Sequence, residues 1–314
     1  MKKLAAVLAA LTLLVLLAFI YQHERGTPDK QGKPQLSEPK GEITLGSKSL
    51  TEQYLLMKMS ALLLRDKGYK VNEMVFLDSQ AVRSAMEAGV AELYWEYTTT
   101  ARIFYHKNEP LYESEEAFRE VAQTDAAKGI VWLSRSSFNS SWALFMRKDI
   151  SERLRIYSIN DLAEYIRTQH TGMKFATNAE YLTREDGLER LMDVYDFQLP
   201  VSQVVAIESD LLPQAVKDGR VDVAVGMASD PRIQRNNLVL LLDDNSVFPP
   251  YEAAPVILEK TLTQYPDIGE TIERLTPLIT QENMLDLMYK VDILQKDITK
   301  TSRDFLVKQG LLKP

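Results

Sequence analysis

A nine-residue phrase occurs twice in the chain, and it constrains the fold more than any other feature. Ala85-Met-Glu-Ala-Gly89-Val-Ala-Glu92-Leu93 aligns without gaps to Ala215-Val-Lys-Asp-Gly219-Arg-Val-Asp222-Val223. In each copy a helix-like run stops at Gly, and an acidic residue then enters an apolar strand. One supersecondary unit in two distant copies predicts two similar lobes. Eight residues past the glycine stand Tyr97 in the first copy and Met227 in the second.

The flanking grammar extends each copy. Residues 43–45 read as a strand ending at Gly46, and Ser49 with Glu52 has capping-box spacing for a helix stopped by Gly68. A strand at 71–77 follows, then a helix capped by Ser79, then the strand that opens at Glu92. This β-α-β-α-β order predicts parallel strands covered by helices. The 113–128 helix is acidic, and Glu113, Glu115 and Glu116 read as a solvated face. Strands are expected at 130–133 and 141–146. In the second half, Ser158 with Asp161 and Thr183 with Asp186 have cap spacing for two helices. Strands at 174–177, 204–207 and 221–225 alternate with them, and a helix is expected at 211–218. Helices at 262–274, 280–290 and 297–308 close the chain. The expected lobes are 42–146 with 250–314, and 147–249, with crossovers near 146 and 249.

Lys2 and Lys3 precede an apolar run from Leu4 to Ile20 that is broken only by Thr12, a secretory signal pattern. Export with cleavage is the favoured reading, against retention of residues 1–21 as an N-terminal anchor. Either fate places the body outside the cytoplasm, in the periplasm. Residues 22–41 have Gly- and Pro-rich linker composition. The chain has no cysteine, which excludes disulfides, thiolate metal sites, a cysteine nucleophile and a lipidated N-terminal Cys. Its net charge of −7 argues against general nucleic-acid binding.

No phosphate-binding, nucleophile-elbow or zinc-protease motif occurs, so no catalytic, cofactor or metal residue is assigned and no enzyme is expected. His23, His106 and His170 are isolated and read as solvated. The chemistry that is present sits at element ends. Tyr94, Trp95 and Tyr97 precede Thr98, Thr99, Thr100 and Arg102 in a polar turn, offering aromatic faces for a cation and hydroxyls for an anion. Lys48 stands just before a helix start, where a cation and free N–H groups together favour an anion. Arg184 reads as the first residue of a helix, against the dipole, which marks it as a candidate for carboxylate binding. Trp142 follows a polar turn, and Tyr251 follows Pro249 and Pro250.

At these residues the chain resembles the glycine betaine/choline/carnitine-type substrate-binding proteins of quaternary-amine (osmoprotectant) ABC importers. The resemblance covers nearly all of residues 42–310. It rests on Gly46-Ser-Lys-Ser-Leu-Thr-Glu-Gln53, Glu96-Tyr-Thr-Thr-Thr100 and Tyr181-Leu-Thr-Arg-Glu-Asp-Gly187. Ala228-Ser-Asp-Pro-Arg-Ile233 and Phe248-Pro-Pro-Tyr-Glu-Ala-Ala-Pro-Val256 complete it. It implies a type II periplasmic-binding-protein fold: two α/β lobes, joined by two crossover segments, with a cleft between them. By motif, Tyr97, Trp142 and Tyr251 would form an aromatic cage for a quaternary ammonium, and Lys48, Thr100 and Arg184 a carboxylate clamp. Trp142 stands where a Tyr is usual. Met227 stands where a further cage Tyr is usual, and Thr99 where a Gly is usual. The implied function is extracytoplasmic binding of a quaternary-ammonium zwitterion, by a monomer that delivers it to the permease subunits of an ABC importer. Two alternatives stay open: another zwitterion such as ergothioneine, and a membrane-anchored sensing module without transport.

Overall fold

The computed structural model describes residues 38–169 and 172–314. The signal segment and most of the linker lie outside the described residues, as do His23 and His170. A first excursion of the chain forms β1 (Glu42–Lys48), β2 (Lys70–Phe76), β3 (Leu93–Tyr97) and β4 (Ile130–Trp132). A second forms β5 (Trp142–Arg147), β6 (Phe175–Thr177), β7 (Val204–Ala206), β8 (Val223–Met227) and β9 (Leu238–Leu240). The chain then returns as β10 (Ala253–Leu258). Two five-stranded sheets result, in the orders β2-β1-β3-β10-β4 and β7-β6-β8-β5-β9.

The orders superpose position for position. β3 and β8 hold the centres, each parallel to its β1- or β6-type neighbour and antiparallel to β10 or β5. The expected parallel strands are present in both sheets, and each sheet also contains antiparallel pairs. The reason is connectivity: β5 and β10 are the strands by which the chain crosses between lobes, and each enters its new sheet running back from the cleft. The repeated phrase now has a physical account. Gly89 and Gly219 adopt left-handed backbone (φ 73° and 67°), which glycine adopts without steric cost. The following amides, Val90 and Arg220, donate to Ala85 and Ala215 carbonyls and close the helix ends. The acid then ties the new strand to its neighbour. Glu92 accepts from the Thr44 amide at 2.9 Å, and Asp222 from the Lys174 amide at 2.8 Å.

The first crossover falls earlier than expected. β5 pairs with β8 and β9, so residues 142–146 belong to the second sheet and not to the first lobe. The two crossing segments run side by side, with Asn139 bridged to Glu252. The Tyr251 amide donates to Asn139 Oδ1 at 2.7 Å, and Ser141 Oγ to the Pro249 carbonyl at 3.0 Å. The C-terminal helices Pro266–Glu273, Gln281–Met288 and Ile298–Lys308 pack on helix Thr51–Asp66 in the first lobe.

β3 is buried at all five positions, so its polar atoms need internal partners. Trp95 Nε1 donates to Ser60 Oγ at 3.0 Å and Tyr94 Oη to Glu96 at 3.0 Å, which fixes both rings in the core. His106 is not solvated as expected. Its Nε2 lies 2.8 Å from Asp125 Oδ1, in a buried cluster where Asp125 also takes two bonds from Arg83 and one from Trp132.

Candidate functional site

β1, β3 and β8 end, and β5 begins, at the face where the lobes meet. Such strand ends are where open α/β sheets place ligands. A cavity of about 130 Å³ lies there, lined by residues of both lobes and of the crossovers. Six of the seven residues singled out in the sequence line it: Lys48, Tyr97, Thr100, Trp142, Met227 and Tyr251. Tyr97 ends β3 and Met227 ends β8, so the two repeat positions face one cavity from opposite lobes. Trp142 opens β5 in register with Met227. Trp142 also rests against Tyr181, with ring centroids 4.7 Å apart.

The expected polar turn after Tyr97 is helical. Thr99 has φ −71° and ψ −32° and leads into a π-helical turn, Thr100–Tyr105. These angles suit any residue, so Thr99 fits without strain where glycine was the family habit. Its hydroxyl donates to the Pro250 carbonyl at 2.6 Å and ties the β3 end to the returning crossover.

The two cations are already engaged. Lys48 Nζ is ion-paired to Glu96 and lies 4.7 Å from the Tyr97 ring centroid. Glu96 is fully buried and also accepts from Tyr105 Oη and the Tyr97 amide, both at 2.7 Å. Arg184 does not line the cavity. Its Nε and Nη2 grip Asp186 at 2.8 and 2.9 Å, and its Nη1 reaches Glu180 at 3.0 Å. Tyr251 Oη bonds the same Asp186. Burial alone would lower the Arg184 pKa, but Tyr251, Asp186 and Glu180 around it raise it above the usual range. The helix-start reading of Arg184 also fails. Helix Ala179–Thr183 ends before it, and the next helix, Leu188–Val194, starts at Gly187 rather than under a Thr183 cap.

Glu52 escaped the sequence reading because it looked like half of a capping box. The helix is instead entered from Leu50 with no side-chain cap. The Glu52 carboxylate turns inward, 2% exposed, and accepts from Tyr97 Oη and Ser140 Oγ, each at 3.1 Å. Burial pushes its pKa up, against its hydrogen bonds. Glu52 stands behind Tyr97 and does not itself line the cavity, but Asp78, Glu180 and Glu208 do, so among the described residues the lining carboxylates outnumber the one lining cation, Lys48. Glu180 accepts from the Ser79 amide at 3.0 Å, a bond that joins the two lobes at the cavity edge. Nothing in the sequence marked these acids, because each comes from a different segment of the chain.

Three aromatic faces, a thioether and excess negative charge around one small cavity suit an organic cation, which cation–π attraction and carboxylates both favour. Comparison with known proteins gives the same direction. Residues 41–308 match the model of the substrate-binding domain of ABC-type glycine betaine transport systems. The chain is 30% identical to a glycine-betaine-binding protein of Pseudomonas aeruginosa, over 86% of this chain and 88% of that one. It is 26% identical to the ergothioneine transport permease/ergothioneine binding protein EgtU of Helicobacter pylori, over 86% of this chain and 48% of that one. The crystal structure of a glycine betaine/carnitine/choline ABC transporter superposes with a TM-score of 0.68 at 23% identity, covering 86% of this chain and 99% of that one.

Proposed function

The chain belongs to the family of substrate-binding domains of ABC-type glycine betaine transport systems, and on that premise we propose that its interlobe cavity binds the trimethylammonium group of a small solute. Members of this family are extracytoplasmic binding proteins and not enzymes. The observation that carries the ligand reading is the meeting of Tyr97, Trp142 and Tyr251, from both lobes and a crossover, on one cavity. Thr100 and Lys48 line the same cavity and supply the donors for a carboxylate or hydroxyl on the ligand. The bound solute is delivered, by a monomer, to the permease subunits of the importer. Because two crossing segments carry the chain between the lobes, ligand capture proceeds by their closure.

Calorimetric titration with glycine betaine, choline, carnitine and ergothioneine tests the ligand class. Binding of at least one is expected, and silence for all four would remove the class. Tyr97→Ala is expected to weaken the best ligand by at least about 1 kcal/mol, roughly fivefold. An unchanged affinity would take Tyr97 out of the cage.

Glu52 gives the site a pH dependence with a definite sign. Its raised pKa means that it takes up a proton at higher pH than a free glutamate does. Acidification therefore removes a negative charge beside Tyr97 before ordinary carboxylates titrate. Choline affinity is expected to fall as pH drops through this titration, and Glu52→Gln to flatten the profile. A wild-type profile that Glu52→Gln leaves unaltered would assign the effect elsewhere.

A further inference from the structure

Outside the aromatic cavity, residues 184–190 of the second lobe meet residues 104–109 of the first. Lys107 Nζ lies 2.7 Å from Glu185 Oε1, and Arg190 Nη1 lies 3.6 Å from Glu109 Oε2. These four side chains border one crevice of about 90 Å³, and none of them lines the aromatic cavity. Each lobe supplies one cation and one anion, so the charges match in one register. A slide of one stretch past the other sets Lys107 towards Arg190 and Glu109 towards Glu185, like charge against like. Arg184 joins the same contact: its guanidinium carbon lies 5.2 Å from the Phe104 ring of the first lobe.

The first-lobe side of this contact is held in shape. Lys107 has left-handed backbone, φ 59°, where few residues other than glycine sit. The Asn108 amide donates to the Arg102 carbonyl at 3.0 Å, and Arg102 Nε donates to the Glu109 carbonyl at 2.6 Å. Arg102 is itself ion-paired to Glu120. Strained backbone of this kind persists where its surroundings impose it, and it collects at clamps and switches. On the second-lobe side, Arg190 Nε is buried and has no hydrogen-bond partner among the described residues. The guanidinium therefore has a donor to spare for Glu109. Both stretches run directly into the site: the first begins at Thr100, which lines the cavity, and the second carries Arg184, which bonds Tyr251.

We propose that Lys107, Glu109, Glu185 and Arg190 form a crossed ion-pair clasp that sets how long the lobes stay closed on a bound ligand. They are positioning residues, because they act on closure without touching the ligand. Ion pairs at the solvent edge are weak and are screened by salt, so the clasp releases readily and the lifetime of the complex shortens as ionic strength rises. As a retention device the clasp rests on the reading of the aromatic cavity as the ligand site.

The test measures release of the tightest-binding of the four solutes by stopped-flow competition. Glu185→Lys sets two ammonium groups against each other. It is expected to speed release by roughly three- to tenfold in low salt, with association changed by less than about twofold. Lys107→Glu/Glu185→Lys restores the pair with its polarity reversed and is expected to return the rate to within about twofold of the wild type. Raising salt from about 0.02 M to about 0.5 M is expected to speed wild-type release and to erase its difference from Glu185→Lys. A second measurement needs no ligand. The chain lacks cysteine, so Gln80→Cys and Leu211→Cys put one label on each lobe, at exposed positions outside the cavity lining. The distance between the labels is expected to widen in Glu185→Lys and to narrow again in the swap. Wild-type release and wild-type label distance in Glu185→Lys overturn the clasp, as does a swap that behaves no better than Glu185→Lys. Silence for all four solutes sinks the ligand reading, and the label distances then decide the clasp by themselves.

Discussion

Replacing Asp125 by Ala should lower the stability of the protein by about 3–5 kcal/mol, the cost of breaking a buried ion pair. The melting temperature should fall by on the order of 10 °C. Asp125 is fully buried and accepts four bonds: two from Arg83 at 2.8 and 2.6 Å, one from His106 at 2.8 Å and one from Trp132 at 2.8 Å. Without it the Arg83 guanidinium, 2% exposed, keeps among the described residues one carboxylate, Glu87 at the edge of the cluster, and the face of Tyr105. Burial by itself would raise the Asp125 pKa; Arg83, His106 and Trp132 outweigh it and hold the carboxyl far below the usual range. The sign of the pH effect follows. A depressed pKa contributes stability that is present above the unfolded value, near 3.9, and is lost as pH falls below it. Thermal melts from neutral pH downwards should show that acid loss in the wild type and a shallower one in Asp125→Ala. Equal acid slopes, or a loss below about 1 kcal/mol, would show that the cluster is not a stabilising unit. Arg83→Met/Asp125→Leu is the companion variant. An apolar pair of similar volume removes the stranded charge and should recover much of the lost stability.

The repeated phrase carried more of the fold than any motif. Its glycines need left-handed backbone and its acids bind the neighbouring strand, both local requirements that a short sequence can state. For the same reason Tyr97 and Met227 could be placed opposite each other before any coordinates. The return strand was illegible, because β10 owes its direction to where the chain comes from and not to its own residues. The first crossover was misplaced on the same ground: residues 142–146 are apolar enough for either sheet, and only the pairing with β8 assigns them. At the site, single residues at element ends were legible, and pairings across elements were not. Glu52 and Glu96 each sit in a recognisable phrase, yet the phrase does not say that one turns to Tyr97 and the other neutralises Lys48.

Arg184→Met should leave the relative affinities for glycine betaine and choline unchanged, although both fall. A clamp residue would behave differently: its loss would penalise the carboxylate-bearing ligand alone. The structure places Arg184 outside the cavity lining, with three of its donors on Asp186 and Glu180. Its guanidinium bonds Tyr251 Oη at 3.3 Å, and Tyr251 Oη also bonds Asp186. Arg184 therefore acts by fixing the Tyr251 ring, which lines the cavity. Asp186→Ala makes the larger perturbation. It strands a guanidinium that is 4% exposed, leaves Glu180 as its one carboxylate, and takes the acceptor from Tyr251. A stability loss of about 3–5 kcal/mol is expected. Cation–π contact depends on ring placement, so affinity should fall by at least about 1 kcal/mol for betaine and choline alike. Titration of both variants with both ligands separates the roles. A selective loss of betaine binding in Arg184→Met, or a selective gain in Asp186→Ala as the freed guanidinium turns to the carboxylate, would return Arg184 to the clamp.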